Sequence, residues 1–117
     1  MGTGRAARDK GNRGELKVVK MLQAAGFDDA RRNYADKVDE QGVDVFAGTL
    51  LLQVKNWGNE VPMSKYREIN RHDGIRALVS NNTSTRGPWM ITMKLKDFLA
   101  IAQDVGILYD TGLIPPF

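Results

Sequence analysis

Apolar residues recur along the chain at spacings that predict three helices and five strands. Leu16, Val19 and Leu22 follow the helical period, which predicts a first helix over residues 13–25. Alternating or continuous apolar runs predict strands over residues 30–35, 43–47, 50–57, 76–80 and 88–93. Two more helices are predicted, one beginning at Pro62 to Ser64 and one over residues 95–105.

The predicted order of elements is helix, three strands, helix, two strands and helix. This order is typical of an α/β or α+β sandwich, in which a mixed sheet of about five strands is flanked by helices. Residues 1–11 are rich in Gly and Arg and predict a flexible basic leader. Residues 12–117 are then expected to form a single domain, because a chain of 117 residues leaves little room for a second one.

The composition is that of an ordinary globular protein and excludes several classes of site. Hydrophobic residues make up 42% of the chain and charged residues 26%. The absence of cysteine excludes disulfides and thiolate-ligated zinc. No apolar run approaches the roughly 20 residues of a membrane helix, and no secretory signal is visible. We therefore expect a cytoplasmic protein with no membrane partner.

Basic residues are concentrated near the start of the chain. The formal net charge is +3, yet the six basic residues between Arg5 and Lys20 are opposed only by Asp9 and Glu15. A local cationic cluster favours a polyanionic partner. The alternative for residues 5–10 is a solvated tail, whereas the basic residues from Arg13 onward would hold fixed positions on a helix.

A tight hairpin brings three polar side chains together. Only Gly48 and Thr49 separate two predicted strands, and Gly at the first central position suits a type II′ turn. The resulting register places Asp44 opposite Gln53, and the alternation of side chains puts Lys55 on the same face. The opposite face is uniformly apolar and carries Val43, Val45, Leu52 and Val54.

These three side chains lie at the end of a strand pair whose other residues are predicted to form the core. They must therefore be paired with other polar groups, hydrated or bound to a cation. Carboxylate, amide and main-chain carbonyl oxygens are ligands that suit Mg²⁺ or Mn²⁺. A lysine beside them can orient a water molecule or stabilise a developing phosphate charge. The alternative is a plain ion pair between Asp44 and Lys55, with Gln53 as a spectator.

The segments GVDV (42–45) and LQVK (52–55) resemble the core motif of the PD-(D/E)xK nuclease superfamily. The Gln form of the second segment is similar to the variant of Mrr-type restriction endonucleases. The segment GNRGEL (11–16) resembles the glutamate-bearing first helix of archaeal-type Holliday-junction resolvases. The resemblance covers nearly all of the chain after residue 11 and implies a restriction-endonuclease-like fold.

The resemblance also implies roles for individual residues. Glu15, Asp44, Gln53 and the main-chain carbonyl of Val54 would bind Mg²⁺ or Mn²⁺, and Lys55 would be the catalytic lysine. The alternative for Glu15 is a capping box with Asn12, which would turn its carboxylate back onto the helix start. Candidate DNA contacts are Arg8, Lys10, Arg13, Lys17, Arg32 and Trp57.

The function implied is a metal-dependent, nucleoid-associated endonuclease that hydrolyses DNA phosphodiester bonds. We expect a homodimer that prefers branched DNA such as a Holliday junction, because symmetric cutting of two strands needs two sites. One alternative is a restriction or repair nuclease of Mrr type. Another is an inactive DNA-binding protein with a nuclease fold, which the uncharged Gln53 keeps open.

Overall fold

Three helices and five strands are formed by the residues that the computed structural model describes, which are 3–34 and 41–105. Residues 35–40 of the predicted first strand and following loop lie outside the described part. In chain order the elements are α1 (Thr3–Ala24), β1 (Arg31–Arg32), β2 (Val45–Ala47), β3 (Leu50–Trp57), α2 (Ser64–Arg67), β4 (Ile75–Asn82), β5 (Met90–Met93) and α3 (Leu95–Val105).

The five strands form one mixed sheet in the order β1-β2-β3-β4-β5. Strands β3 and β4 are parallel, and the other neighbouring pairs are antiparallel. A parallel pair needs a crossover, which here runs through α2. The chain is therefore an α+β protein with a five-stranded mixed sheet flanked by helices, and this part of the sequence prediction is confirmed.

The apolar core is divided between two clusters. The cluster that includes α1 contains Val18, Val19, Ala30, Val45, Ala47, Leu52, Val54, Ala77 and Val79. The cluster that includes α2 contains Val43, Leu51, Tyr66, Ile69 and Leu78. Alternate residues of β3 enter different clusters, as the two-residue period of a strand requires. The sheet thus separates α1 from α2, and a site at its end can receive side chains from both helices.

Helix α1 begins at Thr3, so the prediction that it starts at Arg13 is wrong, and residues 3–11 are helical rather than a flexible leader. The leader was predicted because this segment is rich in Gly and Arg, and Gly is unfavourable inside a helix. Gly14 has a packing role instead, since a Cβ built on it would lie 2.7 Å from Cβ of Asn56. The glycine allows α1 to approach β3 closely.

The hairpin between β2 and β3 has the predicted register. Ala47 pairs with Leu50, and Val45 pairs with Leu52. Gly48 has a φ of +56°, a conformation that residues with a side chain rarely adopt. The length of the turn and the position of its glycine are local signals, and they were sufficient to predict the register of the hairpin.

The pairing changes at Asp44, where the predicted alternation is wrong. The N–H of Asp44 donates a hydrogen bond of 2.7 Å to the carbonyl oxygen of Leu52, although Val45 is the residue paired with Leu52. Two residues that face one residue of the partner strand form a β-bulge, which shifts the alternation by one position. Strand β2 accordingly begins at Val45, and Val43 joins the α2 cluster rather than the apolar face predicted for it.

The other elements differ from the predictions mainly in length. Strand β1 has two residues, β4 is longer than predicted, β5 begins at Met90, and α2 is a single turn. The bounds of α3 are those predicted, but Leu95, Phe98 and Leu99 on its apolar side are exposed. None of the helices in the described part is long and apolar enough to cross a membrane.

Candidate active site

A cleft of about 360 Å³ lies where α1 crosses the end of β3. Its walls are formed by Ala7, Lys10, Gly11, Glu15, Asp44, Val54, Lys55, Asn56 and Trp57. The structure therefore brings together four of the five residues predicted for the site, from three separate elements of the chain. The fifth, Gln53, is not among the residues that line the cleft.

Asp44 is held at the point where β2 separates from β3. Its Oδ2 accepts a hydrogen bond of 2.8 Å from the main-chain N–H of Val54, and its carbonyl oxygen accepts one of 2.9 Å from the N–H of Asn33. The bulge thus replaces a strand-to-strand hydrogen bond with one to a carboxylate. Among the ion pairs of the described residues there is none between Asp44 and Lys55, so the simple cross-strand ion pair is not formed.

Glu15 faces the cleft from α1. The capping-box alternative is wrong, because Asn12 and Glu15 lie inside a helix that begins at Thr3. Glu15 Oε1 accepts a hydrogen bond of 3.2 Å from Nε of Arg32, and Nη2 of the same arginine donates one of 2.8 Å to Asn12 Oδ1. The side chains of Glu15 and Arg32 are 19% and 18% exposed, so this ion pair is largely shielded from water.

The electrostatic environment of Glu15 favours a nearby cation. Burial raises the pKa of Glu15 above its usual value, and the negative charge of Asp44 raises it further. Arg32 and Lys55 act in the opposite direction without cancelling the increase. Two carboxylates that repel each other in a partly buried cleft would be stabilised by a bound divalent cation.

Lys55 borders the cleft beside an aromatic ring. Its Nζ lies 5.7 Å from the centroid of the Trp57 ring, and Nζ of Lys65 lies 5.3 Å from the same centroid. These distances are within the range of cation–π attraction. The Lys55 charge is also close enough to lower the pKa of Glu15. Lys55 therefore lies near both the indole ring and the carboxylate of Glu15.

Gln53 has a different environment from the one predicted. It is 5% exposed, and its Nε2 donates a hydrogen bond of 3.5 Å to Oε2 of Glu68. Its Oε1 is buried without a hydrogen-bond partner among the described residues. The amide nitrogen of Gln53 thus has a hydrogen-bond partner in Glu68, whereas its amide oxygen has none among the described residues. The sequence analysis did not single out Glu68.

The predicted DNA contacts fall into three groups. Lys10 and Trp57 line the cleft, and Nζ of Lys10 donates a hydrogen bond of 2.8 Å to Oγ1 of Thr83. Arg32 is occupied by Glu15 and Asn12, as described above. Three others, Arg8, Arg13 and Lys17, are exposed along α1. Of the basic residues predicted on α1, Lys10 thus lies in the cleft and the other three face solvent.

Asn56 and Glu68 are the site residues that the sequence analysis missed. Asn56 lies under α1, where its Nδ2 donates a hydrogen bond of 3.2 Å to the carbonyl oxygen of Lys10. Its position two residues after Val54 was a usable signal, because both then lie on the face that α1 covers. Glu68 follows α2 and meets Gln53 only through the fold, so no local pattern indicated it.

The donor set suits a hard divalent cation. Within residues 3–34 and 41–105 no group of three or more His, Asp or Glu side chains could hold a metal ion. The cleft instead combines the carboxylates of Glu15 and Asp44, and Val54 also lines it. Oxygen donors of this kind, completed by water molecules, are what Mg²⁺ and Mn²⁺ prefer.

Comparison with known proteins gives no match, since no family model fits this chain and no curated protein or solved structure is similar to it. The resemblance to the PD-(D/E)xK nucleases depends on the motif residues alone and stays a prediction. The restriction-endonuclease-like fold is a prediction in the same sense.

Proposed function

We propose that this chain is a divalent-metal-dependent DNA endonuclease related to the PD-(D/E)xK superfamily. The observation that carries the proposal is that Glu15, Asp44 and Lys55 line one cleft although they come from α1, the segment before β2 and the second half of β3. Asp44 also raises the pKa of Glu15, which requires the two carboxylates to be electrostatically close. Acidic residues and a lysine in this combination suit phosphodiester hydrolysis.

Four residues of the cleft have roles in the proposed reaction. Glu15, Asp44 and the Val54 carbonyl would hold Mg²⁺ or Mn²⁺, which supplies Lewis-acid stabilisation of the phosphate charge when bound. Lys55 donates hydrogen bonds from its ammonium group to the attacking water or to a phosphate oxygen. The water oxygen forms a bond to phosphorus, and the bond between phosphorus and the leaving sugar oxygen breaks. The water loses one proton and the leaving oxygen gains one, so the reaction balances.

The basic surface of α1 favours a DNA substrate. Arg8, Arg13 and Lys17 are exposed on the helix that forms one wall of the cleft, and Lys10 lies in the cleft itself. Positive side chains along a helix neutralise successive phosphates and give salt-dependent affinity. Trp57 offers an aromatic ring for stacking on a base that is not paired.

The proposal includes a homodimer in the nucleoid, because a junction is resolved by two symmetric cuts. Among residues 3–34 and 41–105, five of the ten exposed large apolar side chains fall within residues 90–99, on the edge strand β5 and the first part of α3. A strand at the edge of the described sheet, with exposed apolar neighbours, suits pairing with a second copy of the same strand.

The test is cleavage of a labelled four-way junction beside a linear duplex of the same sequence, with Mg²⁺ or Mn²⁺. We expect symmetric junction cutting by the unaltered protein and loss of at least about 10²-fold with Asp44→Asn or Lys55→Met. The matched control is Lys20→Met, which removes one exposed positive charge of α1. Equal cutting of both substrates would favour the restriction or repair alternative.

An inactive DNA-binding protein is the second candidate, and two observations favour it. Gln53 does not line the cleft, and Arg32 already neutralises Glu15. This candidate predicts that the protein binds DNA with the usual salt dependence and that neither Mg²⁺ nor Mn²⁺ supports cutting. It also predicts that Asp44→Asn binds DNA no more weakly than the unaltered protein.

A further inference from the structure

Lys10 differs from the other basic residues in the first half of α1, because its side chain is partly buried. It lines the cleft, whereas Arg5, Arg8 and Arg13 are exposed. Among the ion pairs of the described residues, none includes Lys10. A partly buried ammonium group whose charge is not matched by a carboxylate attracts an anion. Lys10 therefore has the charge and the location that a phosphate subsite in the cleft requires.

A hydroxyl group from the segment between β4 and β5 binds this ammonium group. Nζ of Lys10 donates a hydrogen bond of 2.8 Å to Oγ1 of Thr83, and the same hydroxyl donates one of 3.1 Å to the carbonyl oxygen of Trp57. A hydroxyl has a single hydrogen, so one that donates to Trp57 can only accept from Lys10. The hydroxyl of Thr83 thus joins two residues that line the cleft.

The position of Thr83 is set by main-chain hydrogen bonds with the end of β3. The N–H of Thr83 donates a hydrogen bond of 2.7 Å to the carbonyl oxygen of Trp57, and the N–H of Arg86 donates one of 3.3 Å to the carbonyl oxygen of Thr83. The hydroxyl of the next residue, Ser84, donates to the carbonyl oxygen of Gly58. None of these hydrogen bonds involves Lys10, so they can hold Thr83 in place when Lys10 is replaced.

The main chain of Lys10 is fixed as well. Nδ2 of Asn56 donates a hydrogen bond of 3.2 Å to the carbonyl oxygen of Lys10. The side chain is thus held at both ends, and an ammonium group bound to one hydroxyl keeps two N–H donors for an anion. A side chain that is ordered before its ligand arrives loses less entropy when the ligand binds.

We infer that Thr83 is a positioning residue, which holds the ammonium group of Lys10 in the cleft to bind a phosphate group of the DNA. The inference rests on the proposed function, because it assigns a phosphate subsite to the same cleft. It adds the segment between β4 and β5 to the parts of the chain that serve the site. One lysine neutralises one phosphate, so the subsite contributes one contact to a longer DNA interface.

The test is the affinity for a fluorescently labelled four-way junction and a linear duplex, measured by anisotropy in EDTA at several salt concentrations. We expect Lys10→Met to weaken binding about 10-fold at about 0.1 M salt and to lower the slope of log affinity against log salt concentration by about 1. Thr83→Val removes the hydroxyl but keeps the branched shape, and it should weaken binding by about 3- to 10-fold. Thr83→Ser keeps the hydroxyl and should retain the affinity of the unaltered protein.

A double-mutant cycle separates positioning from a general structural role. If Thr83 acts through Lys10, then Thr83→Val should cause no further loss of DNA affinity in the Lys10→Met background. The matched control is Thr85→Val, which removes a hydroxyl of the same segment that donates to the carbonyl oxygen of Asn82, outside the cleft. We expect this control to bind DNA as the unaltered protein does.

Several outcomes would overturn the positioning role and leave the proposed function in place. They are an unchanged affinity in Thr83→Val or Lys10→Met, a loss from Thr83→Val that is equal in both backgrounds, and an equal loss in the Thr85→Val control. Absence of DNA binding by the unaltered protein would instead overturn the proposed function and this inference together.

Discussion

The carboxylate of Asp44 accepts a hydrogen bond of 2.8 Å from the main-chain N–H of Val54, across the bulge between β2 and β3. One side chain thus performs two tasks. It completes the hydrogen bonding of a buried strand where the ladder is interrupted, and it presents negative charge to the cleft. Substitutions at Asp44 can separate these tasks, because an amide retains the acceptor oxygen but loses the charge.

We expect Asp44→Ala to lower the free energy of unfolding by about 1–3 kcal/mol, since it leaves the N–H of Val54 buried without a partner. Asp44→Asn keeps an acceptor oxygen and should cost less than about 1 kcal/mol. Both variants should lose Mn²⁺ binding. Urea unfolding followed by circular dichroism measures the difference, and equal stability of the two variants would contradict the bracing role of the carboxylate.

The pH dependence of stability should report the raised pKa of Glu15. In the folded protein this pKa lies above the usual 4.5, so between pH 4.5 and the folded value the folded state binds more protons than the unfolded state. The contribution of Glu15 to the free energy of unfolding therefore falls as pH rises from 4.5 to the folded pKa. At higher pH this contribution remains at its lower value. Glu15→Gln removes the dependence and should be more stable than the unaltered protein near pH 7, because the raised pKa already includes the opposing effect of the Arg32 ion pair.

Unfolding of the unaltered protein and Glu15→Gln at several pH values between 4 and 8 measures this difference. The control is Glu60→Gln, whose carboxylate is exposed. We expect the free energy of unfolding of Glu15→Gln to exceed that of the unaltered protein by an amount that grows above pH 4.5 and then becomes constant. If the unaltered protein instead becomes more stable than the variant as pH rises, the ion pair with Arg32 outweighs burial and the repulsion from Asp44.

The homodimer can be tested at the exposed apolar surface of β5 and α3. Leu95 is 70% exposed, the highest value among the large apolar residues of residues 90–99. We expect Leu95→Lys to convert a dimer into a monomer at micromolar concentration, as measured by light scattering after size-exclusion chromatography. Met21→Lys is the control, because Met21 is 49% exposed on α1, away from this surface. A dimer unaffected by Leu95→Lys would place the interface elsewhere.

Local signals in the sequence predicted the hairpin and α3 correctly. The two-residue turn with Gly48 determines the pairing of Val45 with Leu52, and both features can be read within one short segment. The sequence did not reveal the bulge at Asp44, because a bulge depends on a single main-chain hydrogen bond rather than on residue type. The contact between Gln53 and Glu68 was equally hidden, since it joins two elements through tertiary packing.

The beginning of α1 was missed because residues 1–11, which are rich in Gly and Arg, were predicted to form a flexible leader. Gly11 and Gly14 both lie inside the helix, and they differ in their surroundings. A Cβ on Gly14 would lie 2.7 Å from Cβ of Asn56, whereas one on Gly11 would have nothing within 4 Å. Gly14 therefore permits the contact between α1 and β3, while Gly11 only weakens the helix.

The two substitutions to alanine should have opposite effects on stability. Gly11→Ala should raise the free energy of unfolding by about 0.5–1 kcal/mol through the better helix propensity of alanine. Gly14→Ala gains the same propensity but forces the main chain of α1 away from Asn56, with a cost of about 1–3 kcal/mol for overpacking. Thermal unfolding of the two variants measures both effects. Stabilisation by Gly14→Ala would mean that α1 does not press against β3 at Asn56, and the cleft between Glu15 and Lys55 would then be wider than described.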